Sequence, residues 1–262
     1  MEDAQNCEKR ALNMSYSSSQ PTTADSPPKV ESAQFLGSKL KRVDKSLLIE
    51  TVLVTTAAIL ALRVLVKNSA FGSGWFVAPA VLAALALIPT AIKRRKFARI
   101  GFGVEQLRRS LVLVGWVCIF VFPALFAGLW LLKFYGLELP LRPAQPWGQG
   151  WAAWLFHQFL YVAVAEEVFF RGYVQANILR LTGVPNSSQS RLWKIMSIML
   201  SAACFAIAHT VVHGQVISVL TFLPGLILGW LFVQTRSLLA PILFHGLANT
   251  WYLFVFSLLV SS

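Results

Sequence analysis

The chain has 262 residues, of which 56% are hydrophobic and only 13% are charged. Such a composition leaves too few polar residues to surround a soluble core, so it indicates a membrane protein with several spans. The net charge of +12 does not indicate nucleic-acid binding, because the basic residues cluster in short loops between apolar stretches. We therefore expect a lipid bilayer as the surroundings and no nucleic-acid partner.

The first 45 residues differ from the rest of the chain. They are rich in Ser, Thr, Gln and Pro and contain no long apolar run, which predicts a disordered tail over residues 1–45. Four basic residues, Lys39, Lys41, Arg42 and Lys45, flank the first apolar segment, which begins at Leu47. A cleavable signal peptide is not predicted, because no short apolar segment precedes that position.

Apolar stretches long enough for membrane helices recur through the remaining chain. A helix needs about 20 apolar residues to cross about 30 Å of hydrocarbon. We therefore predict an all-α transmembrane bundle of about seven spans. The expected spans are residues 47–66, 75–92, 111–132, 151–170, 195–213, 215–233 and 239–260.

The basic residues predict the orientation of these spans. Placing the N-terminus in the cytoplasm puts 19 of the 23 Lys and Arg residues on the cytoplasmic side or near it, as the positive-inside rule requires. The compact length and the lack of organelle retention signals favour a prokaryotic plasma membrane, that is, the inner membrane. We thus expect a multi-pass integral protein of that membrane.

Several polar residues lie inside the last four predicted spans. An ionisable side chain at the bilayer centre costs at least about 2.5 to 3.5 kcal/mol on insertion scales, so its default interpretation is functional. The fourth span contains three of these residues, the fifth contains one and the seventh contains two: Glu166, Glu167, Arg171, His209, His245 and Asn249.

Helical geometry sorts these residues further. Glu167 and Arg171 are four residues apart and can form an ion pair. Glu166 points about 100° away from Glu167 and remains available as a proton acceptor, the role of a general base. His245 and Asn249 are also four residues apart, so they are expected to form two neutral donors that could hold an oxyanion.

The level of these residues in the bilayer can be compared. Counted from the hairpin between the fourth and fifth spans, Glu166 lies about 22 Å along one helix and His209 about 27 Å along the other. His245 follows Arg236 by nine residues and is expected in the same cytoplasmic half. The polar groups of three helices are therefore predicted to share one pocket.

Other polar residues have a structural interpretation. His157 and His213 match no motif, and we expect both to be packing residues, although His213 shares a helical face with His209. Glu50 and Arg63 lie toward the ends of the first span and are expected to reach the membrane interface.

Three motifs on these spans resemble those of a known family. Glu166-Glu167-x-x-x-Arg171, Phe205-x-x-x-His209 and His245-x-x-x-Asn249 are similar, in order, to the motifs of the CPBP (Abi) intramembrane proteases. That family includes the type II CAAX prenyl endopeptidases and bacteriocin-processing or self-immunity proteins. The resemblance covers about residues 151–255, and the first three spans lie outside it.

The resemblance implies a glutamate-dependent endopeptidase embedded in the membrane. It implies a catalytic core over residues 151–262, preceded by three transmembrane helices over residues 46–150. The site residues carry over as follows: Glu166 activates water, His209 assists it, His245 and Asn249 stabilise the tetrahedral oxyanion, and Glu167 and Arg171 form a supporting ion pair.

Metal dependence has to be considered, since the family is often labelled as metalloproteases. The chain has no HExxH motif, and ligands scattered over three helices give no diagnostic spacing. We therefore predict no cofactor. If a zinc ion were bound, its ligands would be Glu166, His209 and His245.

Two functions of other classes stay open. A non-catalytic membrane adaptor or immunity protein could carry the same motifs, and a proton-coupled transporter would also place Glu and His inside a bundle. A transporter is less well supported, because the sequence shows neither broken helices nor an internal repeat. For a protease, the expected substrate is a membrane-associated peptide or protein tail, whether a prenylated C-terminus, a leader peptide or a sorting tail.

Overall fold

A computed structural model describes residues 44–67, 74–95, 104–137, 150–181 and 188–260, and within these ranges every regular element is helical. Residues 1–43, and with them nearly all of the predicted tail, lie outside the described residues. The seven helices are α1 (Lys45–Lys67), α2 (Gly74–Ile92), α3 (Val104–Phe134), α4 (from Trp151 to Arg180), α5 (Ser188–His213), α6 (Phe222–Thr235) and α7 (Leu239–Val260). A 3-10 turn, Val216–Thr221, leads into α6.

Within the described ranges, five helical stretches are long and apolar enough to cross a membrane, which supports an integral membrane protein. They are Lys45–Lys67, Glu105–Phe134, Arg191–His213, Val216–Thr235 and Leu239–Leu259. The apolar part of α2, Val77–Ile92, is shorter, and α4 is interrupted by charged residues and by changes of helix type. Five of the seven expected spans therefore coincide with helices that are both long enough and apolar enough to cross a membrane.

Apolar side chains face outward and polar ones face inward, the reverse of a soluble protein. On α3, Trp116, Ile119 and Phe120 are each more than half exposed. On α4, by contrast, Glu167, Arg171, Gln175 and Asn177 are almost completely buried. This arrangement suits a bundle whose outer surface contacts lipid, since polar groups in lipid must find partners inside the protein.

Helix α4 alternates between α-helical and π-helical turns. The α-helical segments are Trp151–Phe156, Val164–Glu167 and Ala176–Arg180, and the π-helical segments between them are His157–Ala163 and Val168–Gln175. Such π segments often occur at functional sites. The carbonyl of Phe170, within the second π segment, accepts a hydrogen bond of 2.9 Å from the Ser201 hydroxyl of α5.

Two side chains of α4 bind two backbone carbonyls of α6. Arg171 Nη2 donates to the Gly225 carbonyl at 3.2 Å, and Gln175 Nε2 donates to the Gly229 carbonyl at 3.0 Å. Both donors and both acceptors are four residues apart in the same order, so α4 and α6 run parallel here. The Gly-x-x-x-Gly spacing lets the helices approach closely, as small residues do in membrane bundles.

The start of α1 is tied to the ends of α2 and α4. Arg95 donates two hydrogen bonds to the Glu50 carboxylate, at 2.6 and 2.9 Å, and the Tyr173 hydroxyl donates a third at 3.2 Å. The backbone N–H of Asp44 donates to the carbonyl of Leu181. These contacts bring the start of α1 and the ends of α2 and α4 together at one end of the bundle.

Two charged residues of α1, Glu50 and Arg63, bind residues outside their own helix. Glu50 pairs with Arg95, and the Arg63 guanidinium donates to the Val211 carbonyl near the end of α5. The sequence did not reveal these partners, and the expectation that both residues reach the membrane interface stays a prediction. In a low-dielectric bundle, the end of a neighbouring helix provides acceptors that a cation would otherwise find in water.

The close contact of α6 with α5 predicts a strong effect at Gly225. A Cβ atom added there would lie 3.1 Å from the Cβ of Ala202 and 3.2 Å from its Cα. Since the Cα belongs to a helical backbone, we expect Gly225→Ala to destabilise the protein by about 1 to 3 kcal/mol through overpacking. Thermal unfolding in detergent measures the change.

The matched control is Gly128→Ala in α3, where an added Cβ meets nothing within 4 Å. Alanine has the higher helix propensity, so this variant should be equally or slightly more stable. Equal loss of stability in both variants would contradict the close packing of α5 and α6.

Candidate active site

A cavity of about 310 Å³ lies between five helices, α1, α2, α4, α5 and α7. All four histidines of the chain line it, together with Glu166 and Asn249. The structure thus brings the polar groups of α4, α5 and α7 into one pocket. It adds His157 and His213, for which the sequence had indicated packing roles.

One face of α4 forms a wall of this cavity. Its residues recur at every fourth position: Trp154, Gln158, Val162, Glu166 and Phe170. In a regular α-helix, every fourth residue drifts by about 40° around the axis, so such a row would turn away from the cavity. The π turns hold more residues per turn and rotate the row back. The alternating helix type therefore keeps Gln158 and Glu166 on the same wall.

Glu167 and Arg171 form the ion pair that their spacing predicts. Arg171 Nη1 donates to Glu167 Oε1 at 3.0 Å, and both side chains are completely buried. The same carboxylate oxygen accepts a hydrogen bond of 2.8 Å from His245 Nδ1. Glu167 therefore joins α4 to α7 as well as to its own helix, a contact that the sequence does not reveal.

The ring of Phe205 lies among three charged or titratable groups. The Arg171 guanidinium carbon lies 4.7 Å from the centroid of this ring, a cation–π distance. The ring centroids of His209 and His245 lie 4.3 Å and 5.9 Å from it. Phe205 is almost completely buried. It separates the Glu167 ion pair from His209 and holds both imidazoles in place by packing.

Glu166 faces the cavity without a direct hydrogen bond. Its Oε2 atom lies 3.8 Å from Nε2 of His209 and 3.8 Å from Nε2 of His245, which is too long for a hydrogen bond. Among the described residues this oxygen has no hydrogen-bond partner, although it is buried. Glu166 keeps 20% of its side chain exposed, whereas Glu167 has none.

Hydrogen bonds at Nδ1 decide which nitrogen of each imidazole faces Glu166. His209 Nδ1 lies 3.0 Å from the Phe205 carbonyl, which can only accept, so this nitrogen carries the proton. His245 Nδ1 likewise donates to the Glu167 carboxylate. In the neutral form of each ring, Nε2 therefore presents a lone pair to Glu166.

The sequence expectation of a neutral His245 donor at the oxyanion site is corrected by this geometry. The single proton of the neutral ring is bound to Nδ1 and is donated to Glu167. His245 can donate from Nε2 into the cavity only after the ring has gained a second proton. The carboxylate of Glu167 is placed to stabilise that cation.

Asn249 has a partner that the sequence did not indicate. Its Nδ2 donates to Gln158 Oε1 across the gap between α7 and α4, at 2.9 Å. Gln158 matches none of the three motifs. Its position could have indicated it, because Gln158 lies eight residues before Glu166, in the row of every fourth residue that lines the cavity.

The first two helices supply the apolar side of the cavity. The residues are Leu62 and Val66 of α1 and Ala78, Pro79 and Leu82 of α2. The motif-bearing segment alone therefore does not enclose the site, because α1 and α2, which lie outside the resemblance, complete it. A pocket with one polar wall and one apolar wall suits a ligand of mixed polarity.

The three residues named for a possible metal lie close together. Among the described residues, however, no group of three or more His, Cys, Asp or Glu side chains has an arrangement that could hold a metal ion. That the protein works without a cofactor stays a prediction.

Breaking the buried ion pair is expected to destabilise the fold. Glu167→Gln would leave the Arg171 cation buried without its counter-ion, a change that costs about 3 to 5 kcal/mol in comparable pairs. Thermal unfolding in detergent measures it. Glu105→Gln, at an exposed acid in the first turn of α3, is the control and should cost no more than about 1 kcal/mol. Similar losses in both variants would show that the pair contributes no special stability.

Comparison with known proteins gives a family match, over the segment that carries the site residues of α4, α5 and α7. Residues 148–251 match the family model described as "Type II CAAX prenyl endopeptidase Rce1-like". No curated protein and no solved structure matches the chain. The matched segment contains all the motif residues, from Glu166 to Asn249, as well as Gln158. Residues 148–251, less than half of the chain, are therefore similar to the Rce1-like family of type II CAAX prenyl endopeptidases.

Proposed function

We propose that the protein is an intramembrane endopeptidase that hydrolyses a peptide bond in a membrane-associated peptide or protein tail. The observation that carries this proposal is the position of Glu166. Its carboxylate is the one acid of the adjacent pair that faces the cavity, and Nε2 atoms of two histidines lie 3.8 Å from its Oε2.

Glu166 is the general base in this proposal. A separation of 3.8 Å between its Oε2 and His209 Nε2 suits one bridging water, with about 2.8 Å from the water to each atom. Both atoms can accept a proton, because the proton of His209 is held on Nδ1 by the Phe205 carbonyl. Two acceptors directed at one water increase its nucleophilicity.

His245 and Asn249 stabilise the oxyanion. A protonated His245 donates from Nε2, while Glu167, at its Nδ1, balances the positive charge and fixes the ring orientation. The pairing resembles in chemistry the acid–imidazole pair of other hydrolases, in which the carboxylate stabilises the imidazolium. Asn249 adds an amide donor that needs no protonation.

The reaction then proceeds in two steps. In the first step the water oxygen bonds to the carbonyl carbon, Glu166 takes one proton of the water, and the carbonyl electrons move to the oxygen that His245 and Asn249 bind. In the second step the tetrahedral intermediate breaks its C–N bond, and the nitrogen leaves as an amine with the proton returned by Glu166. The products are a carboxylic acid and an amine.

The apolar wall supports a membrane-associated substrate. Side chains of α1 and α2 form that wall. A substrate segment that reaches Glu166 therefore contacts apolar side chains instead of water on that side. We propose a prokaryotic inner membrane as the location, with the joined start of α1 and ends of α2 and α4 on the cytoplasmic side. The cavity then lies toward the opposite ends of these helices, because Leu62 and Val66 near the end of α1 and Ala78 and Pro79 near the start of α2 line it. This position differs from the cytoplasmic half that the sequence predicts. A prenylated C-terminus is the substrate type that the family name describes.

Replacement of the base should separate catalysis from folding. We expect Glu166→Gln to lower kcat by about 10² to 10⁴, the usual contribution of general-base catalysis. Stability should change little, because the glutamine keeps the shape and no hydrogen bond of Oε2 is lost. Cleavage of a peptide library in detergent, with products identified by mass spectrometry, measures the loss, and Glu105→Gln is the control of the same chemistry.

The outcome also tests the alternatives. If a well-folded Glu166→Gln protein keeps its cellular function intact, the chain acts as an adaptor, an immunity protein or a transporter. If Glu167→Gln abolishes cleavage in a folded protein while Glu166→Gln does not, the roles of the two glutamates are reversed.

Metal removal should leave cleavage unchanged. The residues proposed to act on the water are the Glu166 carboxylate and the His209 imidazole, which work as proton acceptors, so no bound metal is needed in this scheme. We expect purified protein to keep its activity after stringent chelation and to contain no zinc by elemental analysis. Loss of activity on chelation, with recovery on addition of zinc, would contradict the proposal and indicate Glu166, His209 and His245 as ligands.

A further inference from the structure

Gln158 occupies a position in the cavity that the three motifs do not include. It lies in the first π segment of α4, His157–Ala163, and is partly buried. Its Oε1 accepts the hydrogen bond from Asn249 Nδ2 at 2.9 Å. Helix α4 thus carries both the proposed base, Glu166, and the hydrogen-bond partner of Asn249. The two residues are eight positions apart and line the same wall of the cavity.

The Asn249 carboxamide needs a partner to keep its orientation. The last torsion of an asparagine side chain is broad and nearly two-fold, so the amide can turn its oxygen to where its nitrogen was. An oxygen facing a developing oxyanion would repel it, whereas an N–H would stabilise it. While Gln158 directs Oε1 at Asn249, that oxygen accepts only from an N–H and therefore selects the orientation that directs Nδ2 toward α4.

Helices α4 and α7 are in contact beside this hydrogen bond, through the Phe159 side chain and Gly246. A Cβ atom on Gly246 would lie 2.4 Å from Cδ1 of Phe159, the residue after Gln158. Gly246 stands three residues before Asn249 on α7. The helices that carry Gln158 and Asn249 are therefore in direct contact next to the hydrogen bond, which limits the freedom of both side chains.

We propose that Gln158 is a positioning residue that orients the Asn249 carboxamide for oxyanion stabilisation. The inference rests on the proposed function. Gln158 contributes to turnover through Asn249: one N–H of Asn249 Nδ2 is donated to Gln158 and the other is left for the oxyanion. Neither bond formation nor proton transfer is assigned to Gln158 itself.

A double-mutant cycle tests this proposal. Gln158→Met keeps most of the side-chain length but removes the acceptor, and Asn249→Ala removes the donor. We expect Asn249→Ala to lower kcat by about 10² to 10³, as for other oxyanion donors, and Gln158→Met by about 10- to 100-fold, as for residues that orient a functional group. The double variant should be no slower than Asn249→Ala, and KM should change less than kcat in all three.

Two further variants complete the experiment. Gln234→Ala, at an exposed glutamine of α6, is the control and should keep the wild-type kcat. If methionine is not accommodated at position 158, as judged by thermal unfolding in detergent, Gln158→Ala replaces it in the same cycle.

The outcomes separate this inference from the proposed function. Losses that multiply in the double variant, a change confined to KM, or no effect of Gln158→Met would each overturn the positioning role while Glu166-dependent hydrolysis remains. Absence of any Glu166-dependent hydrolysis by the wild-type protein would overturn the proposed function and the inference with it.

Discussion

One buried carboxylate oxygen, Glu167 Oε1, holds the site together. It accepts from Arg171 at 3.0 Å and from His245 at 2.8 Å, and neither Glu167 nor Arg171 is exposed. Arg171 in turn donates to the Gly225 carbonyl. A buried charge is tolerated only when several partners compensate for lost hydration. That requirement fixes α4 against both α6 and α7 and so determines where His245 points.

The geometry of α4 meets a second requirement. Its charged residues must face partners inside the bundle, while its cavity-facing row, which includes Gln158 and Glu166, must stay on one side. A regular α-helix cannot keep a long row of fourth residues aligned. The π segments solve this problem locally, at the cost of weaker backbone hydrogen bonding. Ser201 of α5 offsets part of that cost by donating to the Phe170 carbonyl.

The sequence predicts what depends on local spacing and fails where long-range contacts decide. Glu167 and Arg171 pair because four residues of helix bring them together, and the helical character of the chain follows from its apolar stretches. The partners of Glu50 and Arg63 come from residues 45 and 148 positions away, so no spacing reveals them. The spacing of Gln158 from Glu166 could indicate that both face the cavity, but the hydrogen bond of Gln158 to Asn249 depends on the contact of α4 with α7. The apolar pattern of α4 does not distinguish π turns from α turns.

The two adjacent glutamates differ in environment more than in chemistry. One oxygen of Glu167 accepts hydrogen bonds from two strong donors, and its side chain is completely buried. Glu167 therefore positions Arg171 and His245. One fifth of the Glu166 side chain is exposed, and its Oε2 lies 3.8 Å from Nε2 of His209 and 3.8 Å from Nε2 of His245. Functional acids are often recognised by such a contrast between neighbouring carboxylates. Neighbouring residues on a helix point about 100° apart. Two adjacent glutamates can therefore face different surroundings, Glu167 the bundle interior and Glu166 the cavity.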